Sequence, residues 1–311
     1  MKLYITIDGG TTNTRITLVG DKRMIDGIKL NIGARKSIEN RSELEAGIKE
    51  AIETLLKRNG ICEKDIVCVL ASGMITSEFG LCCLDHITAP AGIGELNATT
   101  ERIQLDRITS IPFVFIRGVK VDTDSFESFD IMRGEETELM GIMNAEYGEC
   151  IYVLPGSHSK IIRVDELGRI TDFSTMMTGE MIGALAGQTI LKDAVDLSIS
   201  EVENEYLLKG YDYSLKEGIN KALFKARVLK NFFECGKKEV YSFFLGVVLA
   251  SEMIEITNNS AQTVVIGGKA QMRNAMAEIL EKRSNKRVVR LDEDTVNMST
   301  SLGAIRIFEY K

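Results

Sequence analysis

The chain is short of the residues that mark a metal or redox site. Of 311 residues only two are histidines, His86 and His158, and the six cysteines (Cys62, Cys68, Cys82, Cys83, Cys150, Cys235) form no C-x-x-C pair and no regular spacing. That pattern argues against structural zinc and points to reduced, core-filling thiols in a cytoplasmic protein. Prolines number three (Pro90, Pro112, Pro155), so no Pro-rich linker separates domains. The longest apolar run away from the start, 243–250, falls far short of the ~20 residues a membrane helix needs. The first apolar run breaks at Asp8, too early for a signal peptide's core of about 7 to 15 residues. A Lys/Arg-rich run is missing too, and 38 basic against 45 acidic side chains leave a net charge of −7. Nucleic acid and anionic membrane are therefore not expected partners. Neither G-x-S-x-G, nor a Walker A sequence, nor G-x-G-x-x-G occurs, which removes the serine hydrolase, P-loop and Rossmann readings together.

What is present describes a globular chain, 44% hydrophobic and 27% charged. Its length exceeds the roughly 250 to 300 residues at which one core stops growing, so two lobes are expected. Residues 3–7, 15–19 and 25–30 read as three strands joined by turn chemistry. Residues 41–58 follow with Leu44, Ile48, Ile52 and Leu55 at helical spacing, and 66–71 and 113–117 are short buried strands. The second half repeats the order, with strands at 151–154, 161–164 and 170–173, a helix at 241–257, a strand at 263–266, a helix at 271–282, a strand at 287–291 and a closing helix at 299–310. The expected fold is α/β, two similar lobes of β-β-β-α-β-α plan with a cleft between them. The first lobe comprises 1–118 plus 296–311 and the second 119–295.

Four segments carry candidate chemistry. In the first, Asp8, Gly9, Gly10, Thr11, Thr12, Asn13 and Arg15 end the first strand. Glycines there admit close approach of a ligand, backbone N–H groups and hydroxyls donate to phosphate oxygens, and Asp8 suits a hydrated Mg²⁺. The second segment, Gly156, Ser157, His158, Ser159 and Lys160, holds the same place in the second half and suits the far side of a polyphosphate. Gly267 and Gly268, between a strand and a helix, allow a base and ribose to lie on the backbone. The fourth segment, 130–138, offers Arg133 as a fork for a substrate carboxylate and Glu135 as an acceptor for a hydroxyl proton. Glu136 and Glu138 are covered by the ordinary preference of acids for a helix start.

Together, IDGGTTNTR, IMRGEETELMG, LPGSHSK and DFSTMMTGE resemble the 2-dehydro-3-deoxygalactonokinase family of the sugar kinase, actin and Hsp70 superfamily, whose lobes are ribonuclease-H-like. The sequence departs from that family's pattern at Gly9 and Ser157. The resemblance implies ATP with Mg²⁺, held at Asp8, and transfer to the terminal hydroxyl of a sugar acid. Glu135 is then the leading base, Glu180 the rival carboxylate, and Arg133, Arg117 and Arg227 the candidates for the substrate carboxylate. The implied partners are small molecules, with a homodimer left open. Two alternatives stay open: a kinase for another sugar acid such as the gluconate epimer, and an actin-like nucleotide switch without kinase activity.

Overall fold

Alternation in the first strand decides which way each side chain faces. In β1 (Leu3–Gly9), Leu3, Ile5 and Ile7 point to one side of the sheet, while Tyr4, Thr6 and Asp8 point to the other. The apolar side packs on Leu44, Ile48, Ile52 and Leu55 of α1 (Arg41–Asn59), joined by Ile16 and Leu18 of β2 (Thr14–Gly20). Each such fully buried aliphatic side chain contributes about 1.5–3 kcal/mol. The computed structural model describes residues 2–34 and 41–311.

The chain divides into two compact units. The first comprises Met1–Gly148, Asp165–Asp172 and Asn297–Lys311, and the second Glu149–Val164 and Phe173–Val296. In the first, β3 (Arg23–Leu30) pairs with β2, and β4 (Ile66–Gly73) runs parallel to β1. A small separate sheet joins β5 (Ile87–Thr88) to the later β8 and β9, and α2 (Ile93–Ala98) leads to β6 (Glu101–Ile103) and β7 (Phe113–Phe115). Next come β8 (Val119–Val121), β9 (Asp130–Met132) and α3 (Glu135–Ile142). Segment 119–148 thus belongs to the first unit rather than the second, because β8 pairs with β5 and β9 with β8. Three-residue strands carry too little periodicity to be read from sequence.

The second unit contains β10 (Cys150–Leu154), β11 (Ser159–Val164) and most of β12 (Ile170–Met176), then α4 (Thr178–Gln188), α5 (Asn204–Glu217), α6 (Ile219–Phe232) and α7 (Lys237–Asn258). It ends with β13 (Thr263–Ile266), α8 (Ala270–Arg283) and β14 (Arg287–Arg290). The 22-residue α7 is long and apolar enough to cross a membrane, but 78% of its 18-residue apolar window is buried inside the protein, as befits the central helix of a core. The larger sheets run β3-β2-β1-β4-β7-β6 and β12-β11-β10-β13-β14. Apart from the antiparallel edge strand β6 they are the same sheet, so the repeat expected from the sequence holds at the level of topology.

Most of α9 (Glu293–Glu309) belongs to the first unit and covers the polar side of β1. Tyr4 donates to Glu309 (2.9 Å), and Thr6 shares a hydrogen bond with Ser301 (2.7 Å). This helix therefore backs the strand that carries Asp8.

Candidate active site

Asp8 lies at the carboxyl end of β1, with Arg15 of β2 and Ser72 of β4 as its register partners on the same sheet face. Three backbones crowd here. Gly73, at φ +80°, is pressed so closely on the carbonyl of Gly9 that a side chain at Gly73 would overlap it. A side chain on Gly134, at φ +115°, would stand 3.1 Å from Cα of Gly73. Only glycine tolerates both the positive φ and the contact. These contacts bring the ends of β1 and β4 against the start of α3. Beyond Asp8, Gly10 N donates to Asn13 O (2.8 Å) and Ala34 N to Gly10 O (3.1 Å), which leaves Thr11 and Thr12 exposed.

The first turn of α3 places Glu135 within electrostatic reach of Asp8, and Glu138 within reach of both. Burial raises the Asp8 carboxyl above its ordinary value and Glu135 adds to the rise, while Arg15 opposes it. Glu138 is pushed up to about 7 by burial and then by Asp8 and Glu135. Three carboxylates so close repel one another, and a divalent cation would relieve that repulsion. Among the described residues no three His, Cys, Asp or Glu side chains converge closely enough to hold an ion directly. The chemistry fits Mg²⁺, which keeps several waters and is bound by one or two carboxylates with substrate phosphates.

Glu136 is held by its own turn. It is fully buried, accepts from Gly134 N (2.9 and 2.8 Å) and Thr137 Oγ1 (3.0 Å), and burial pushes it up to about 8. The neighbouring Arg133, read from sequence as a fork for a substrate carboxylate, is engaged within the chain. Its Nη1 donates to Thr76 O (2.7 Å) and Oγ1 (2.6 Å), and its Nη2 donates to Leu84 O (2.9 Å) and faces His86 Nδ1 (3.3 Å). Both terminal nitrogens of this half-buried guanidinium are thus engaged by the chain's own loop. Arg117 is engaged likewise, with Thr99 O (2.9 Å) and Asp85 O (3.2 Å). Arg227 makes one bond, to Ile190 O (3.2 Å).

The second unit gathers the remaining candidates. Between β10 and β11 the turn exposes Gly156, Ser157 and His158 at its tip, while Ser159 and Lys160 are buried on β11. Lys160, read from sequence as part of this turn, is only 4% exposed and pairs with Leu154 on the strand ladder. The start of α4 closes on this turn. Glu180 N donates to Ser157 O (3.3 Å), and His158 Nε2 meets Glu180 Oε1 at 3.1 Å. On the other side, Gly267 N donates to Val153 O (2.9 Å), and a side chain on Gly268 would stand 2.7 Å from Pro155 O. Buried Arg273 holds that glycine turn by donating to Gly268 O (2.5 Å). Pro155–Lys160, Thr178–Glu180 and Gly267–Gly268 are thus one assembly within the second unit.

The sequence pattern of the 2-keto-3-deoxy-galactonokinase family matches residues 8–300. The chain belongs to this family. A probable 2-dehydro-3-deoxygalactonokinase of Rhizobium meliloti (strain 1021) is 29% identical over 197 residues, which span 62% of this chain and 59% of that relative. The crystal structure of a candidate 2-dehydro-3-deoxygalactonokinase from Sinorhizobium meliloti shares the fold at a TM-score of 0.77 and 20% identity, over 98% of this chain and 99% of that one. A more distant likeness, TM-score 0.51 at 12% identity over 99% and 95% of the chains, is the activator of the 2-hydroxyisocaproyl-CoA dehydratase of Clostridium difficile with bound ADPNP. The fold alone therefore does not separate a kinase from an activator.

Sequence reasoning does not single out three residues that the structure brings to Asp8 and Gly9. Ser72 and Gly73 end β4 as Asp8 and Gly9 end β1, and a glycine at a strand end was the available signal. Glu138 reads from sequence as an ordinary acid at a helix start, since nothing local shows that β1 ends near it.

Proposed function

We propose that the protein transfers the terminal phosphoryl group of ATP to the terminal hydroxyl of 2-dehydro-3-deoxy-D-galactonate, giving the 6-phosphate, in galactonate breakdown in the cytoplasm. The observation that carries this reading is the placement of Glu135 beside Asp8 at the strand ends of the first unit, within the family's matched residues. A kinase needs a carboxylate for the acceptor hydroxyl and charge control for the phosphates, and both are available there. Glu135 aligns the hydroxyl and takes its proton late, as the oxygen attacks phosphorus and the bond to the ADP oxygen breaks. Bound Mg²⁺ supplies neutralisation of the phosphate charge, and Asp8 is the residue that would hold it through water. In the first unit, Thr11, Thr12 and exposed Arg15 are the donors suited to phosphate oxygens; in the second, taken by itself, Gly156 to His158 form a phosphate turn beside the Gly267 and Gly268 bed suited to a nucleoside.

An ADP-release assay across aldonates and 2-keto-3-deoxy acids tests the proposal. The expected result is the highest kcat/KM for 2-dehydro-3-deoxy-D-galactonate, with little ATP consumption when no acid is present. A preference for the gluconate epimer would reassign the acceptor. ATP turnover indifferent to every acid would overturn the kinase reading in favour of a nucleotide switch.

A further inference from the structure

One ionisable group is buried where the fold does not need it. Glu252 sits on α7, whose residues 240–250 are all buried, and is itself 0% exposed. Its carboxylate faces the hydroxyls of Thr178 and Ser159, yet neither oxygen completes a hydrogen bond of normal geometry. A buried carboxylate without a full set of donors is costly, and an aliphatic residue of similar size would stabilise the helix better. Burial accordingly pushes it up to about 7.

Its neighbours indicate what the carboxylate is for. Ser159 ends the second phosphate turn, and its Oγ accepts from Gly156 N (3.3 Å), so the serine proton is directed away from the tip. Thr178 begins α4, whose next residues pack on that tip through Gly179 against Gly156 and Ser157, and through Glu180 against Ser157 and His158. One turn further along α7, Glu255 accepts from Ser174 Oγ of β12 (3.2 Å), so the same helix face is fixed against the strand that leads into Thr178.

We propose that Glu252 is a positioning residue for nucleotide binding: it draws the Ser159 and Thr178 hydroxyls together from behind and so fixes the exposed Gly156–His158 tip in its phosphate-binding shape. This rests on the reading of that turn as a nucleotide phosphate site. Glu252 touches no ligand and acts only through the two hydroxyls.

The experiment compares wild type, Glu252→Gln and Glu252→Leu by calorimetric titration with Mg-ATP, by KM for ATP and for the acid, and by thermal unfolding. The hold of a buried carboxylate on the two hydroxyls it faces is about the weight of one hydrogen bond, about tenfold in affinity. Glu252→Leu is expected to bind ATP roughly tenfold more weakly, with unchanged KM for the acid and a thermal midpoint equal to or above wild type. Glu252→Gln, which keeps one acceptor oxygen, is expected to recover part of that loss, about threefold weaker than wild type. ATP affinity within twofold of wild type in Glu252→Leu, or a lowered midpoint with both KM values raised, overturns the proposal. If Glu252→Leu does not fold, an unchanged ATP affinity in Glu252→Gln overturns it, and a selective rise in KM for ATP supports it. Failure of wild type to bind Mg-ATP overturns the nucleotide reading and this proposal together, whereas equal binding by wild type and variants overturns this proposal alone.

Discussion

Gly141 of α3 and Gly303 of α9 meet where the two helices cross, each lying on the other helix's backbone. A methyl group on Gly303 would overlap the carbonyl of Thr137, and one on Gly141 the carbonyl of Ser299. Arg306 then caps α3 by donating to Met140 O and Gly141 O, both at 2.9 Å. The crossing sets the height of α3 and with it the positions of Glu135 and Glu138.

Substituting Gly303→Ala should therefore cost stability and activity together. Overpacking against rigid backbone is worth about 1–3 kcal/mol or more, which lowers the thermal midpoint by several degrees. Calorimetry with steady-state kinetics checks this, and an unshifted midpoint would show that the helices separate freely.

Glu135→Gln should lower kcat by roughly 10² to 10⁴ with little change in KM for the acid, since the amide keeps the size but cannot take a proton. Glu180→Gln, which disturbs the pairing with His158, should act mainly on KM for ATP. Near wild-type turnover for the first variant and collapse for the second would exchange their roles.

Asp8→Asn should leave the fold intact, because burial already disfavours the charge, while the Mg²⁺ needed for half-maximal activity rises steeply. Titrating Mg²⁺ at fixed ATP reads this out. An unchanged requirement would remove Asp8 from the metal's surroundings.

Arg133→Ala removes the guanidinium contacts to Thr76, Leu84 and His86 and should cost about 2 kcal/mol, visible as a lower urea midpoint. A raised KM for the acid with no loss of stability would instead mean that ligand displaces the loop from the fork.

Glu136 gives the protein a definite pH dependence. Burial first, and Glu135 second, raise its carboxyl from the ordinary 4.5 to about 8, against the opposing bonds from Gly134 N. Between these values the folded state holds a proton that the unfolded chain has released. This contribution to stability is full below the ordinary value and is lost as pH rises through about 8. Glu138 and Glu252, both raised to about 7, act in the same sense. Glu136→Gln should flatten the fall in stability between about pH 5.5 and 8.5, measured by urea unfolding. A slope equal to that of wild type would mean that Glu136 is ionised in the folded protein.

The sequence by itself determined the repeated sheet, because alternating and continuous apolar runs such as 3–7 and 151–154 carry the strand signal locally and the turn glycines punctuate it. It also pointed to Asp8, Glu135 and the 155–160 turn, since hydroxyls, glycines and acids at strand and helix ends are local features. Only the tertiary structure decided which of these residues share a surface. It joined Asp8 to Glu135 and Glu138 through Gly9, Gly73 and Gly134, which lie far apart in the chain. It joined Glu180 to His158, filled the Arg133 fork with main-chain carbonyls, and buried Glu252 behind Ser159. Each of these depends on how closely two backbones approach and how far water is excluded, and both are set by packing between elements distant in sequence.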